Sequence, residues 1–179
     1  VEWYKTAPNQ DSNNILLLHL AAQYGTPEIV EAILEAGAKD NINKPNEHGW
    51  TPLHYAAISG KTEMVKALIN AGAKDSINKP TTDGSAPIHL ATQYGTPDIV
   101  QALVDNEAKV NAQNRRGLTP LHIAAESSDD MGAKLVILLG NGAEKSAQIQ
   151  TYGGYLPLDL AAQRGHIKHT RYLLEYVDH

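Results

Sequence analysis

A four-residue pattern recurs along the 179 residues, and its spacing limits the fold more than any other feature. Aligned on the fourth position, the copies are Leu16-Leu17-Leu18-His19, Thr51-Pro52-Leu53-His54, Ala86-Pro87-Ile88-His89, Thr119-Pro120-Leu121-His122 and Leu156-Pro157-Leu158-Asp159, at steps of 35, 35, 33 and 37 residues. Both Thr-Pro-Leu-His copies continue into paired alanines, Ala56-Ala57 and Ala124-Ala125. Threonine offers a hydroxyl to the unpaired N–H groups of a first helical turn, and proline at the next position has the φ a helix needs and no N–H to leave unpaired. The alanines put no bulk one turn later, so a neighbouring helix can approach closely. A chain built from such units buries its apolar surface by stacking them in a row.

On these T-P-L-H-x-A-A residues the chain resembles the ankyrin-repeat family over about residues 14 to 177. The resemblance implies an all-α repeat solenoid, a stack of helix-turn-helix units with projecting β-hairpin loops. It divides the chain into a lead-in, 1–13, a single domain, 14–177, and a tail, 178–179. The repeats are about 14–45, 46–80, 81–113, 114–150 and 151–177, the last a C-terminal cap. In that family the motif histidine hydrogen-bonds to the threonine of its own motif and to backbone of a neighbouring repeat. Carried over, this gives structural roles to His19, His54, His89 and His122, with Thr51 and Thr119. Repeats one and three lack the threonine, so their histidines need other partners.

In order along the chain, Trp3 and Tyr4 are expected either to fold back over the first repeat or to belong to a disordered tail. Helices are predicted over Leu17 to Tyr24, Thr26 to Glu35, Pro52 to Ser59 and Thr62 to Asn70, with Gly37 permitting a left-handed exit. Connectors Lys39 to Trp50 and Lys74 to Ser85 are each two residues longer than Lys109 to Leu118, and Pro45 and Pro80 within them limit strand pairing. The near-identity of Gln23 to Val30 with Gln93 to Val100 points to duplication of a two-repeat block. In repeat four the loop Glu126 to Gly132 is enlarged and acidic, and the last helix carries His166, Lys168, His169, Arg171 and Glu175, a polar outer helix suited to an open end.

Catalytic and metal readings fare poorly. One histidine per repeat, spaced by about 10 Å of helix packing, cannot converge on a zinc ion that needs every ligand at about 2 Å. His166, His169 and His179 lack a fixed carboxylate or thiolate beside them and read as a solvated face. Gly140 to Ser146 lacks the glycine directly before lysine that a phosphate loop requires. With no cysteine and no Ser/His/acid set, no enzyme activity, cofactor or metal is expected. A net charge of −5, with both signs spread along the chain, argues against nucleic acid. No apolar run is long enough to span a bilayer, so membrane insertion is not expected, and the cytoplasm is the default location. The first residue is not Met, so the chain is read as either a processed form or an excised piece.

What remains is surface. The resemblance makes the hairpin tips and the two residues after Ala-Ala the positions free to vary. These are Glu47, His48, Trp50, Thr82, Asp83, Ser85, Arg115, Arg116, Leu118, Tyr152 and Tyr155 at the tips, and Gln23, Tyr24, Ile58, Ser59, Gln93, Tyr94, Glu126, Ser127, Gln163 and Arg164 on the concave side. Because aromatics and arginine dominate interface energetics, Tyr24, Trp50, Tyr94, Arg115, Arg116 and Tyr155 are the expected protein-binding anchors. The alternative is that Trp50 and Tyr155 shield the adjacent helix while Tyr24 and Tyr94 pack between repeats. Tyr55 stands where other copies have Leu or Ile and is expected in the core. The function that follows is non-catalytic binding of a protein partner through tips and concave face, by a chain expected to be monomeric. Two other classes stay open: a regulatory or targeting domain of a larger enzyme, channel or effector, and a small-molecule or sugar site in the groove.

Overall fold

The computed structural model describes residues 10–128 and 132–176. Trp3, Tyr4, His179 and Asp129 to Met131, the middle of the enlarged loop Glu126 to Gly132, lie outside that range. Among the described residues ten α-helices follow one another in five packed pairs: α1 (Gln10–Tyr24) with α2 (Pro27–Ile33), α3 (Pro52–Ile58) with α4 (Thr62–Asn70), α5 (Pro87–Tyr94) with α6 (Pro97–Val104), α7 (Pro120–Glu126) with α8 (Ala133–Gly140), and α9 (Pro157–Gln163) with α10 (Ile167–Leu174). The odd-numbered helices form one row, each packed on the next, and α2, α4, α6 and α8 form a second. Between the rows runs a continuous apolar ribbon in which Leu18, Leu53, Met64, Leu68, Ile88, Ile99, Leu103, Leu121, Leu135, Leu138 and Leu173 are fully buried.

Proline sets where helices begin. Pro27, Pro52, Pro87, Pro97, Pro120 and Pro157 each open a helix behind an extended residue, the fixed φ and missing N–H suiting the first turn. The first pattern has no proline, and α1 accordingly starts at Gln10 rather than at the predicted Leu17, running 15 residues and taking in part of the expected lead-in. Helix C-termini are met by donors from the next pair. Lys61 Nζ donates to the carbonyls of Tyr24 (3.0 Å) and Gly25 (2.8 Å), and the buried Lys134 donates to that of Thr92 (3.0 Å). His166 and His169 reach the carbonyls of Glu126 (3.2 Å) and Ala125 (3.3 Å), so His169, only 4% exposed, caps α7 instead of joining a solvated face. Cations and N–H donors belong at that end of the helix dipole.

The expected β-hairpins reduce to turns. No strand forms among the described residues, and each tip is closed by two backbone bonds, one from the first residue (Asn46 N to Trp50 O, Thr81 N to Ser85 O, Asn114 N to Leu118 O, Thr151 N to Tyr155 O) and one from the glycine back to the first residue's carbonyl. Each tip then meets the next through a single backbone bond, from Thr82 N to His48 O, Arg115 N to Asp83 O and Tyr152 N to Arg116 O. One bond per junction is too little pairing for a ladder, and Pro45 and Pro80 have no N–H with which to extend it.

Candidate protein-binding groove

The tips owe their shape to the first residue of each. Asn46 Oδ1 accepts from the N–H groups of His48 and Trp50, Asn114 Oδ1 from those of Arg116 and Leu118, and Thr151 Oγ1 from that of Tyr155, side chains standing in for backbone in a tight turn. The fourth residue is a glycine with positive φ. At Gly117 (φ 74°) an added Cβ would lie 2.7 Å from Tyr152 N, so the next tip is seated directly against it. At Gly154 (φ 83°) nothing lies within 4 Å.

Behind the tips, three of the four motif histidines tie their pair to its successor. His122 Nδ1 accepts from Thr119 N (3.2 Å) and from the Thr119 hydroxyl (2.8 Å), and Nε2 donates to Tyr155 O (3.1 Å). His89 manages without threonine: Nδ1 accepts from Ala86 N (3.1 Å) and Nε2 reaches Ala112 O (3.0 Å) and Leu118 O (3.2 Å). His19 Nε2 donates to Trp50 O (2.8 Å), and its Nδ1 lies against the carbonyl of Ile15. In the last repeat Asp159 replaces histidine and accepts from Leu156 N (2.8 Å).

His54 makes the local bonds, to Thr51 N (3.0 Å) and Oγ1 (2.9 Å), but its buried Nε2 finds no acceptor. The Ser85 carbonyl, which stands where Tyr155 stands for His122, already receives the N–H of Thr81 and shares the Thr81 hydroxyl proton with Asp83 Oδ1, Thr81 N and Oγ1 each lying 3.0 Å from it. Burial pushes the His54 imidazole down to about 4, the nearby Ser85 and Lys79 carbonyls offsetting this only in part. Burial likewise lowers His89 and His122, and all three rings are neutral at physiological pH.

A second ladder escaped the sequence reading. Asn43, Asn78 and Asn111 donate through Nδ2 to the carbonyls of Gly72 (2.9 Å), Glu107 (3.0 Å) and Gly142 (2.7 Å), and their Oδ1 atoms accept from Ser76 Oγ, Lys109 N and Ser146 Oγ. Each asparagine stands eleven residues before its motif histidine, a constant offset that would have revealed it.

The tips and the exposed ends of α3, α5 and α7 enclose an open groove in two compartments. The middle one, about 460 Å³, is walled by Trp50, Ile58, Tyr94, Arg116, Leu118 and Ile123, with Asp83 and Glu126 at its edge. The C-terminal one, also about 460 Å³, shares Arg116, Leu118 and Glu126 and adds Arg115, Tyr152, Tyr155 and Leu160. Five of the six expected anchors therefore meet in one trough. Tyr24, 70% exposed, lines neither compartment. Tyr55 is half-buried, not core: it faces the tips, where its hydroxyl accepts from Asn46 Nδ2 (3.0 Å) and its ring lies 5.0 Å from that of Trp50 and 5.2 Å from that of His19.

The carboxylates at the groove are already engaged. Glu126 is paired with Arg164, whose Nε and Nη2 both donate to Oε1. Burial pushes the Asp83 carboxyl up, but hydrogen bonds from the Thr81 and Ser85 hydroxyls and the Ser85 N–H outweigh it and hold the pKa below the usual value.

Stacked helix pairs, turn-linked tips and histidines binding pair to pair define a helical-repeat solenoid. A family profile described as ankyrin repeats (3 copies) matches residues 2–79, 18–114, 72–149 and 88–179, and the chain belongs to the ankyrin-repeat family. Ankyrin repeats are generally protein–protein interaction modules and are typically non-catalytic. No curated protein matches the chain. Among the described residues no helix is long and apolar enough to cross a membrane.

Proposed function

We propose that this chain binds a protein partner by receiving an extended segment in the groove from Trp50 to Tyr155, with Trp50, Tyr94, Arg115, Arg116 and Tyr155 as anchors. The observation that carries the reading is the convergence of these five side chains on two compartments sharing Arg116 and Leu118. Three tips in register hold the aromatic and cationic groups on fixed backbone, so little of the binding surface has to be ordered when the partner arrives. Tyr24 serves only a partner long enough to reach α1. The chain acts as a monomer, one groove per molecule.

The test is a triple replacement, Trp50→Ala, Tyr94→Ala and Arg116→Ala. It is expected to leave the far-ultraviolet circular dichroism unchanged and to weaken capture of a crosslinked partner by about 2 kcal/mol or more. Equal capture by the triple variant and the unaltered chain would reject the groove.

A further inference from the structure

We infer that the C-terminal compartment selects an acidic partner segment, whose Asp or Glu side chains seat on Arg115 and Arg116 while an adjacent apolar side chain lies against Tyr152 and Tyr155. This rests on the groove reading and gives it a chemistry. Both arginines are exposed, and neither guanidinium has a hydrogen-bond or ion-pair partner among the described residues. Their backbone is nonetheless fixed. Arg115 N donates to Asp83 O (2.9 Å), Arg116 N to Asn114 Oδ1 (2.9 Å), and Arg116 O accepts from Tyr152 N (3.2 Å). The stem of Arg115 lies across Gly84, where a Cβ would come within 3.1 Å of its Cγ.

Charge decides the rest. Glu126, which lines this compartment, is answered by Arg164, and the Asp83 carboxylate next door is held by hydroxyls of its own tip. A chain of net charge −5 thus presents, at one corner of its groove, the guanidinium groups of two consecutive residues with which no carboxylate is paired among the described residues. Carboxylates complete such a site, because guanidinium offers them paired N–H donors in matching geometry. A nucleic acid fits less well: its affinity grows with the number of phosphates neutralised, two arginines neutralise few, and the surrounding negative charge repels a polyanion. The exposed faces of Tyr152 and Tyr155, 76% and 49% accessible, supply apolar area beside the charge.

Displayed random peptides of about twelve residues, long enough at about 3.3 Å per residue to run the trough, test this on the full chain. Selection on the unaltered protein is expected to enrich Asp or Glu next to aromatic or aliphatic residues. A fluorescein-labelled winner is expected to lose at least about tenfold in affinity on Arg115→Glu with Arg116→Glu, and several-fold between about 50 and about 500 mM NaCl. The Ala pair should lose less, the Lys pair least, and the winner's Asn/Gln counterpart should bind as weakly as the reversed pair binds the original. Winners without acidic enrichment, no winner at all, or indifference to the arginine reversal would overturn the inference. If such indifferent peptides still require Trp50 and Tyr94, only the acidic preference falls; if they ignore those residues too, the groove reading falls with it.

Discussion

The second and fourth repeats spell the same motif, Thr-Pro-Leu-His, and build the same cap, yet their joints to the following repeat differ. His122 spans the gap and donates to Tyr155 O; His54, equally buried, ends on a nitrogen without an acceptor. The cause lies in the opposing tip. Both tips begin with threonine, but Thr151 Oγ1 accepts from the N–H of Tyr155, whereas the Thr81 hydroxyl also reaches the Ser85 carbonyl that His54 needs. A repeat motif therefore fixes half of each joint, and the way the next tip uses its hydroxyl and carbonyl fixes the other half.

The largest test of this difference is acid. The His54 ring has a pKa of about 4 in the folded chain and about 6.5 unfolded, so the unfolded state takes up the proton first. Its contribution is complete above about pH 6.5 and is lost as pH falls from there towards about 4, amounting to about 3 kcal/mol at most. Urea melts at several pH values should show that His54→Gln removes more of this acid slope than His122→Gln does. Equal flattening by the two would mean that the joints are alike.

Next in size is the contact between tips. Gly117→Ala meets both a left-handed φ and the backbone of Tyr152, and is expected to cost about 2 kcal/mol or more; Gly154→Ala, with open space beside it, should cost about 1 kcal/mol from φ alone. Denaturant midpoints of the two variants compare them directly. Repair of the weak joint comes third: Thr81→Asn would copy the Asn114 turn, release the Ser85 carbonyl to His54, and stabilise by about 1 kcal/mol, raising Tm by about 2–4 °C. A lower Tm would show that the hydroxyl matters more to the tip than the histidine does to the joint.

The smallest effect concerns the back of that joint. Asn78 there binds the carbonyl of Glu107, which has φ 68° where the equivalent residues are Gly72 and Gly142. Glu107→Gly relieves about 1–2 kcal/mol of left-handed strain and gives back about 0.5–1 in unfolded-chain entropy, for a net gain of about 0.5 kcal/mol. Calorimetry on the two chains would resolve it.

Much of this architecture was legible because helix onset is a local matter. Six prolines open six helices, and in the one motif that carries no proline the onset lies seven residues from the expected one, at Gln10 instead of Leu17. That early start also explains Tyr24. It holds the same repeat position as Tyr94, but a groove wall needs tips on both sides, and the stretch that would form the tip before His19 is helical in α1. The asparagine ladder went unread because a polar residue in a connector reads as a turn former until its partner, about thirty residues on, is placed beside it. Tyr55 is a related case: its position holds Leu or Ile in the other copies, yet Leu20 is exposed and Ile123 half-buried, so an apolar residue type there does not by itself mark the core.

By itself the sequence determined the repeat period, the helix pairs, the apolar ribbon and the side chains available at the tips, all of which follow from propensities within a few residues and from periodicity along the chain. Only the tertiary structure decided which of those side chains share a trough, which carbonyl each histidine reaches, and which charges stay unanswered. Those outcomes depend on contacts between residues a whole repeat apart, where a single hydroxyl can take an acceptor from a ring that the motif had otherwise positioned.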